Sequence, residues 1–171
     1  MIEFKSLHTK KLNKKVIRNI CKLKEESWAH GIKSQLVYFK KNIKNTDIHN
    51  LIYNIRDLIG YTVLRKRKMK YKKKYYNFLL LDTIIIKKKY RKKNFGKKIM
   101  LFNNKIIKDT KMLSILLCKN KNVKFFEKFH WKKIPLKHCL ISDYKSKKNL
   151  MYFNSSKKFN KNSKAEIFVN N

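Results

Sequence analysis

The sequence predicts a mixed α/β fold, and three observations carry that prediction. Two β-rich runs, 49–55 and 58–65, are separated only by Arg56 and Asp57, as in an antiparallel hairpin. The run FLLLDTIII at 78–86 is apolar on nearly every position, which marks a strand covered on both faces. It is followed by a helical stripe of Phe95, Ile99, Phe102 and Ile106 and then by a second apolar run, MLSILLC at 112–118. A strand, a crossing helix and a strand in that order form a βαβ unit with parallel strands.

The elements follow in chain order. Ile2 to Leu7 alternates as a short opening strand, and from Thr9 the residues Leu12, Val16, Ile20 and Leu23 recur at helical spacing. A second short helix is expected across Ser34 to Lys41, after Gly31. The hairpin comes next, in the sense NLIYNI-RD-LIGYTVL. The segment KRKMKYKKKYY, 66–76, reads as a solvated basic loop leading into a central strand at Asn77 to Ile86. After the βαβ unit, Asn122 to Phe129 reads as a shorter helix, and Trp131 to Leu140 and Leu150 to Phe153 as late strands. From Asn154 the Ser, Lys and Asn content rises. The expected organisation is one domain at 1–153 and a flexible polar tail at 154–171.

Length and composition agree with this. A chain of 171 residues, 43% hydrophobic and 13% aromatic, can bury roughly two-thirds of its unfolded surface, so global disorder is excluded. Lys and Arg number 46 against 10 Asp and Glu, for a formal charge of +36. Such a surface attracts polyanions. Two readings of it stay open: selected polyanion binding, and the codon bias of an A/T-rich genome, which would also enrich Asn, Ile, Phe and Tyr. Cys21, Cys118 and Cys139 are odd in number and lack metal-ligand spacing, which fits buried thiols in a reducing compartment. His8, His30, His49, His130 and His138 form no HExxH or Cys/His cluster, so no metal site is expected. No uncharged apolar run approaches the roughly 20 residues of a membrane span, and the N-terminus lacks a signal-peptide pattern. A cytoplasmic protein without membrane attachment is expected; the oligomeric state stays open.

Chemistry concentrates at one turn. The chain has three glycines, and Gly96 stands at the mouth of a helix just after a buried strand, in IIIKKKYRKKNFGKKIM. Backbone N–H groups between Arg91 and Gly96, together with the helix N-terminus, would converge on one spot suited to phosphate, with Arg91, Lys92, Lys93 and Lys97 adding charge. An ordinary strand-to-helix turn on a lysine-rich chain is the alternative.

This arrangement resembles the GCN5-related N-acetyltransferase family, whose coenzyme A turn follows Arg/Gln-x-x-Gly-x-Gly/Ala. Arg91 matches its first position and Gly96 its last, while Asn94 replaces the first glycine. Asn tolerates positive φ, so the turn survives that replacement. A second stretch, CKNKNVKFFEKFHWKKI, is similar to the family's later motif, approximately Asn-x-x-Ala-x-x-Phe-Tyr-x-Lys-x-Gly-Phe/Trp. Phe125, Lys128 and Trp131 match; Lys119, Asn122, Phe126 and His130 stand at the asparagine, alanine, tyrosine and glycine positions. The resemblance spans Leu51 to Pro135.

The resemblance implies a central mixed, mostly antiparallel sheet flanked by helices, with the βαβ unit binding coenzyme A. It implies transfer of an acetyl group from acetyl-coenzyme A, as cosubstrate, to a primary amine by direct attack in a ternary complex, without a metal. The backbone of Ile84 and Ile86 would hold the pantetheine arm, and Asn94, Phe95 and Gly96 the pyrophosphate, with Arg91, Lys92, Lys93, Lys97, Asn122 and Phe126 completing the contacts. Asp82, on the central strand nine positions before Arg91, would draw a proton from the amine. Its alternative is a structural aspartate, which in so apolar a strand needs a partner. Phe126 lacks the hydroxyl with which the family's tyrosine protonates the leaving thiolate. A non-catalytic basic protein bound to nucleic acid or the ribosome, or a weakly active coenzyme A-binding relative, is the competing reading; Tyr71, Tyr75 and Tyr76 among lysines support the former.

Overall fold

The computed structural model describes residues 1–135, 139–142, 149–155 and 165–168. Four α-helices and nine strands lie among them, and the fold is mixed α/β with mostly antiparallel pairing. The chain divides into two compact units: Met1–Arg65 with Asp82–Asn103, and Lys66–Leu81 with Asn104–Asn171. Neither unit is a continuous segment, because two strands and a helix each run from one into the other.

In the first unit β1 (Ile2–His8) pairs antiparallel with β2 (Ile48–Asn54), and β2 with β3 (Asp57–Tyr71), in register Asn54↔Asp57 through Ile48↔Leu64 with a bulge at Ile52/Tyr53. The hairpin anticipated from the sequence is therefore present. Helix α1 (Lys14–Glu25) starts later than its apolar spacing suggested. Asn13 caps it, the side chain accepting from the Val16 N–H at 2.9 Å, and Thr9–Lys11 is a separate 3-10 turn. Ile20, Cys21 and Leu23 on α1 are buried with Phe39 of α2 (Ile32–Asn42) against Leu51, Leu58, Tyr61, Val63 and Ile85. Burying each large aliphatic side chain contributes about 1.5–3 kcal/mol.

The basic segment 66–76 is the main correction to the sequence reading, because it is a hairpin and not a loop. β3 continues to Tyr71 and β4 (Lys74–Ile86) begins three residues later. Lys72 and Lys73 both take positive φ, 49° and 63°, the backbone of a two-residue hairpin turn. Along the extension Arg65, Arg67 and Met69 are buried while Lys66 and Lys68 are exposed, the alternation of a strand.

In the second unit β4 pairs parallel with β5 (Ser114–Cys118) at Leu79↔Ser114 and Leu80↔Ile115, with α3 (Phe95–Asp109) as the crossing helix, so the βαβ unit is as expected. After α4 (Val123–Glu127), β6 (Lys132–Ile134) and β5 both pair antiparallel with β8 (Asn149–Phe153). β7 (Cys139–Ser142) pairs parallel with β9 (Ala165–Phe168), and β9 pairs antiparallel with Met69–Tyr71 of β3. β9 lies in the segment expected as a flexible tail; Ala165 and Ile167 are buried there beside Met69 and Phe78. The rest of that segment beyond Ser155, and residues 136–138 of the expected late strand, lie outside the described residues. Among the described residues no helix is long and apolar enough to cross a membrane.

Candidate functional site

The first unit carries most of the residues singled out from the sequence. Asp82 opens the last stretch of β4, and Thr83 after it has φ 58°. For a β-branched residue that is a costly conformation, of the kind found where a strand must re-aim its groups. Ile84 and Ile86 are partly buried against Ile52, Ile59, Phe95 and Ile99, and the Lys87 N–H donates to the Ile59 carbonyl at 2.9 Å. The strand end is thus fixed before the chain turns.

A 3-10 turn at Lys88–Tyr90 leads into the basic turn. Lys92 and Asn94 have positive φ, 61° and 60°, so Asn94 adopts the conformation that makes it a fair substitute for glycine. The Asn94 carbonyl accepts from the Lys98 N–H at 3.0 Å, the first bond of α3. The N–H groups of Phe95, Gly96 and Lys97 then precede any intrahelical acceptor. Phe95 is buried, its ring edge-on to Tyr90 with centroids 5.9 Å apart, and anchors the turn; residues 91–94 are exposed. No acidic residue lies in the first turn of α3. Lys92, Lys93, Lys97 and Lys98 instead flank the positive end of the helix dipole in sequence, a charge pattern unfavourable by itself, with the Lys93 ammonium 5.9 Å from the Tyr90 ring centre and that of Lys98 5.2 Å from the Phe95 ring centre. Arg91 is tied inward: its Nε donates to the Ile86 carbonyl at 3.0 Å and an Nη to the Ser27 hydroxyl at 3.0 Å.

Asp82 has the partner that its apolar strand demands. Arg65, whose side chain is only 3% exposed, places a guanidinium nitrogen 3.1 Å from the Asp82 carboxylate, and donates a second bond to the Asn42 carbonyl at 3.1 Å. Asp82 itself is 32% exposed. Nothing in the sequence paired these two residues, since the contact depends on the register between β3 and β4.

Beside Thr83 a cavity of about 380 Å³ opens, lined also by Lys24, Trp28, His30, Gln35 and Tyr38 among others. Sequence reasoning missed it. Lys24 occupies the buried stripe of α1, is 8% exposed, and holds its ammonium over the Tyr38 ring at 4.5 Å. Burial pushes its pKa down from the usual lysine value, and the charge of Asp82 acts against that shift. The only legible signal was a charge on an otherwise apolar helix face. Burial pushes the Cys21 and Cys118 thiols up, away from nucleophilic thiolate chemistry. Among the described residues no group of three or more His, Cys, Asp and Glu side chains could hold a metal ion.

Asn122 and Phe126 belong to the second unit. Asn122 is exposed at the start of α4. Phe126 is buried, edge-on to Phe125 at 5.3 Å and to Trp131 at 6.4 Å. His130, at the position where the resembled motif has glycine, has φ 65°, which accounts for that glycine's usefulness. Trp131 is fully buried and donates its indole N–H to Asn104 at 3.1 Å, while Asn104 donates to the Phe129 carbonyl at 2.9 Å.

No family model matches the sequence, and no curated protein matches it either. Solved structures do match. An acyl-CoA N-acyltransferase from Pseudomonas aeruginosa superposes with a TM-score of 0.68 at 11% identity, over 89% of this chain and 99% of that one. The Bacillus subtilis N-acetyltransferase YlbP, in complex with coenzyme A, gives 0.57 at 18% identity over 90% and 96%. A GCN5-related N-acetyltransferase from Kribbella flavida gives 0.58 at 8% identity, over 77% of this chain and 34% of that one. The chain has the GCN5-related N-acetyltransferase fold. Escherichia coli ElaA also superposes, with a TM-score of 0.63 at 15% identity, over 89% of this chain and 97% of that one. The mixed, mostly antiparallel arrangement implied by the sequence resemblance is thereby that of the protein.

Proposed function

We propose that the protein is an acetyl-coenzyme A-dependent N-acetyltransferase acting on a primary amine. The observation that carries this reading is the start of α3, where three backbone N–H groups precede any intrahelical acceptor, with four lysines and no acidic residue nearby in the sequence, directly after the strand that ends in Ile86. A pyrophosphate suits that end, held by the N–H groups of Asn94, Phe95 and Gly96, with Lys92, Lys93 and Lys97 around it. Arg91 acts by bracing the turn against Ile86 and Ser27, a role its two inward bonds support. The partly buried backbone around Ile84 and Ile86 would receive the pantetheine arm.

Acetyl-coenzyme A supplies an activated acyl group, so the protein's task is to orient an uncharged amine and to stabilise the charge that develops as it adds. The backbone N–H groups beside the strained Thr83 are suited to an oxyanion. Asp82 lies one residue away, exposed enough to accept the amine proton through water and held in place by Arg65 at 3.1 Å. Phe126 carries no hydroxyl, so water or another group would protonate the departing thiolate. Thiol release from acetyl-coenzyme A, screened against a panel of primary amines, tests the reaction. Release that depends on amine supports it, and binding of the cofactor with no release from any amine would leave a coenzyme A-binding protein without this activity.

A further inference from the structure

We propose that the cavity beside Thr83 selects an acceptor carrying a carboxylate, a small amino-acid-like amine with an aromatic or other apolar side chain, and that Lys24 is the carboxylate's partner. The proposal rests on the N-acetyltransferase reading and names the substrate class of that site. At about 380 Å³ the cavity falls in the size range of small-molecule sites and holds a molecule of amino-acid size.

Lys24 decides the charge. Lys24 is 8% exposed as a residue, lines the cavity, and rests its ammonium on the Tyr38 ring at 4.5 Å in place of a carboxylate. Asp82 is paired with Arg65 at 3.1 Å, and of the two acids next to Lys24 in sequence Glu26 accepts from the Lys88 N–H at 3.3 Å and Glu25 from the Gly31 N–H at 2.9 Å, its second oxygen being buried without a partner. A buried ammonium whose closest partner is a ring gains most from an incoming carboxylate. The described lining has no Asp or Glu, so a second ammonium on the acceptor would meet Lys24 uncompensated. Polyamines and polycationic amino sugars are disfavoured for that reason.

The walls decide the rest. Trp28 and Tyr38 line the cavity and remain 42% and 44% exposed; the Tyr38 ring carries the Lys24 ammonium, so Trp28 gives an apolar side chain its aromatic surface. Gln35 donates its amide to the Trp28 carbonyl at 2.9 Å and so holds the Trp28 backbone in place. The amine end of such an acceptor would then lie toward Thr83 and β4, the strand on which Asp82 stands.

The test compares L-phenylalanine with phenethylamine, which differ by the carboxylate, in thiol release from acetyl-coenzyme A and in calorimetric binding. The native protein is expected to favour phenylalanine at least tenfold in kcat/KM. Lys24→Met should abolish that preference by lowering activity on phenylalanine and sparing phenethylamine, and Lys24→Arg should largely keep it. Acetyl-coenzyme A binding is measured on each sample and should be unchanged. Equal use of the two amines by the native protein, a preference for phenethylamine, or a preference that survives Lys24→Met would overturn the proposal while leaving the acetyltransferase reading intact. Loss of acetyl-coenzyme A binding by the native protein would instead remove the reading beneath it.

Discussion

Replacing Asp82 by asparagine separates the two tasks assigned to that carboxylate. The side chain of Arg65 is 3% exposed and that of Asp82 32%, at a separation of 3.1 Å. Arg65 also has a buried Nε with no hydrogen-bond partner, so its charge already leans on few acceptors. Removing one member of a fully buried pair destabilises by about 3–5 kcal/mol. Water reaches a third of Asp82, and asparagine still offers an oxygen to Arg65, so a loss of about 2 kcal/mol is expected. For a chain of this size that lowers Tm by about 4–8 °C. Unfolding is followed by circular dichroism, with Arg65→Met and the double variant closing a thermodynamic cycle whose coupling should be on the order of 1–2 kcal/mol. The same samples report on chemistry: Asp82→Asn should slow amine-dependent thiol release far more than its fraction unfolded explains, with affinity for acetyl-coenzyme A nearly intact. A Tm within about 1 °C of the parent would refute the pairing argument, and unchanged turnover across pH would remove Asp82 from proton transfer.

Burial pushes the His49 pKa down from 6.5 to about 4, with His8 adding a smaller push, while its ring nitrogens bond Thr9 at 2.8 Å and Tyr61 at 3.0 Å. The unfolded chain therefore binds a proton below pH 6.5 that the folded chain refuses until about pH 4. Stability from this residue should be complete above the upper value and fall by about 3 kcal/mol toward the lower one, measured by urea unfolding; His49→Gln should flatten that window. At the turn, Asn94→Ala should destabilise by about 1 kcal/mol because φ is 60° there, whereas Asn94→Gly should stay within about 0.5 kcal/mol of the parent, both read as Tm.

Much of this fold was legible because its signals were dense and local. FLLLDTIII could only be a covered strand, and the stripe from Phe95 to Ile106 could only be a helix packed on one side. Their order gave the βαβ unit and with it the place of the basic turn. The parts that were missed depend on information a local pattern lacks. The hairpin at 66–76 turns through Lys72 and Lys73, where glycine or asparagine would have announced positive φ, and its lysines hid the alternation of Arg67 and Met69. Asn13 moved the start of α1 by competing as a cap with the upstream residues. β9 is four residues long in a polar stretch and becomes a strand by pairing with Met69–Tyr71, a partner nearly a hundred positions away. At the site, the turn from Arg91 to Gly96 could be read from residue types. The inward bonds of Arg91, the Arg65 partner of Asp82 and the Lys24 cavity could not, since each depends on which side chains the fold brings together.

The most direct test of the account is a calorimetric titration of the native protein with acetyl-coenzyme A, repeated from low to high salt and in the presence of tRNA. A chain of formal charge +36 will bind any polyanion at low ionic strength, and such binding weakens steeply as salt rises. The account predicts saturable one-to-one binding that persists at about 0.5 M salt, where screening lengths fall to a few ångströms, and that Gly96→Pro weakens while tRNA binding is unaffected. Binding that vanishes with salt in parallel with that of tRNA, or that ignores the change at Gly96, would contradict it.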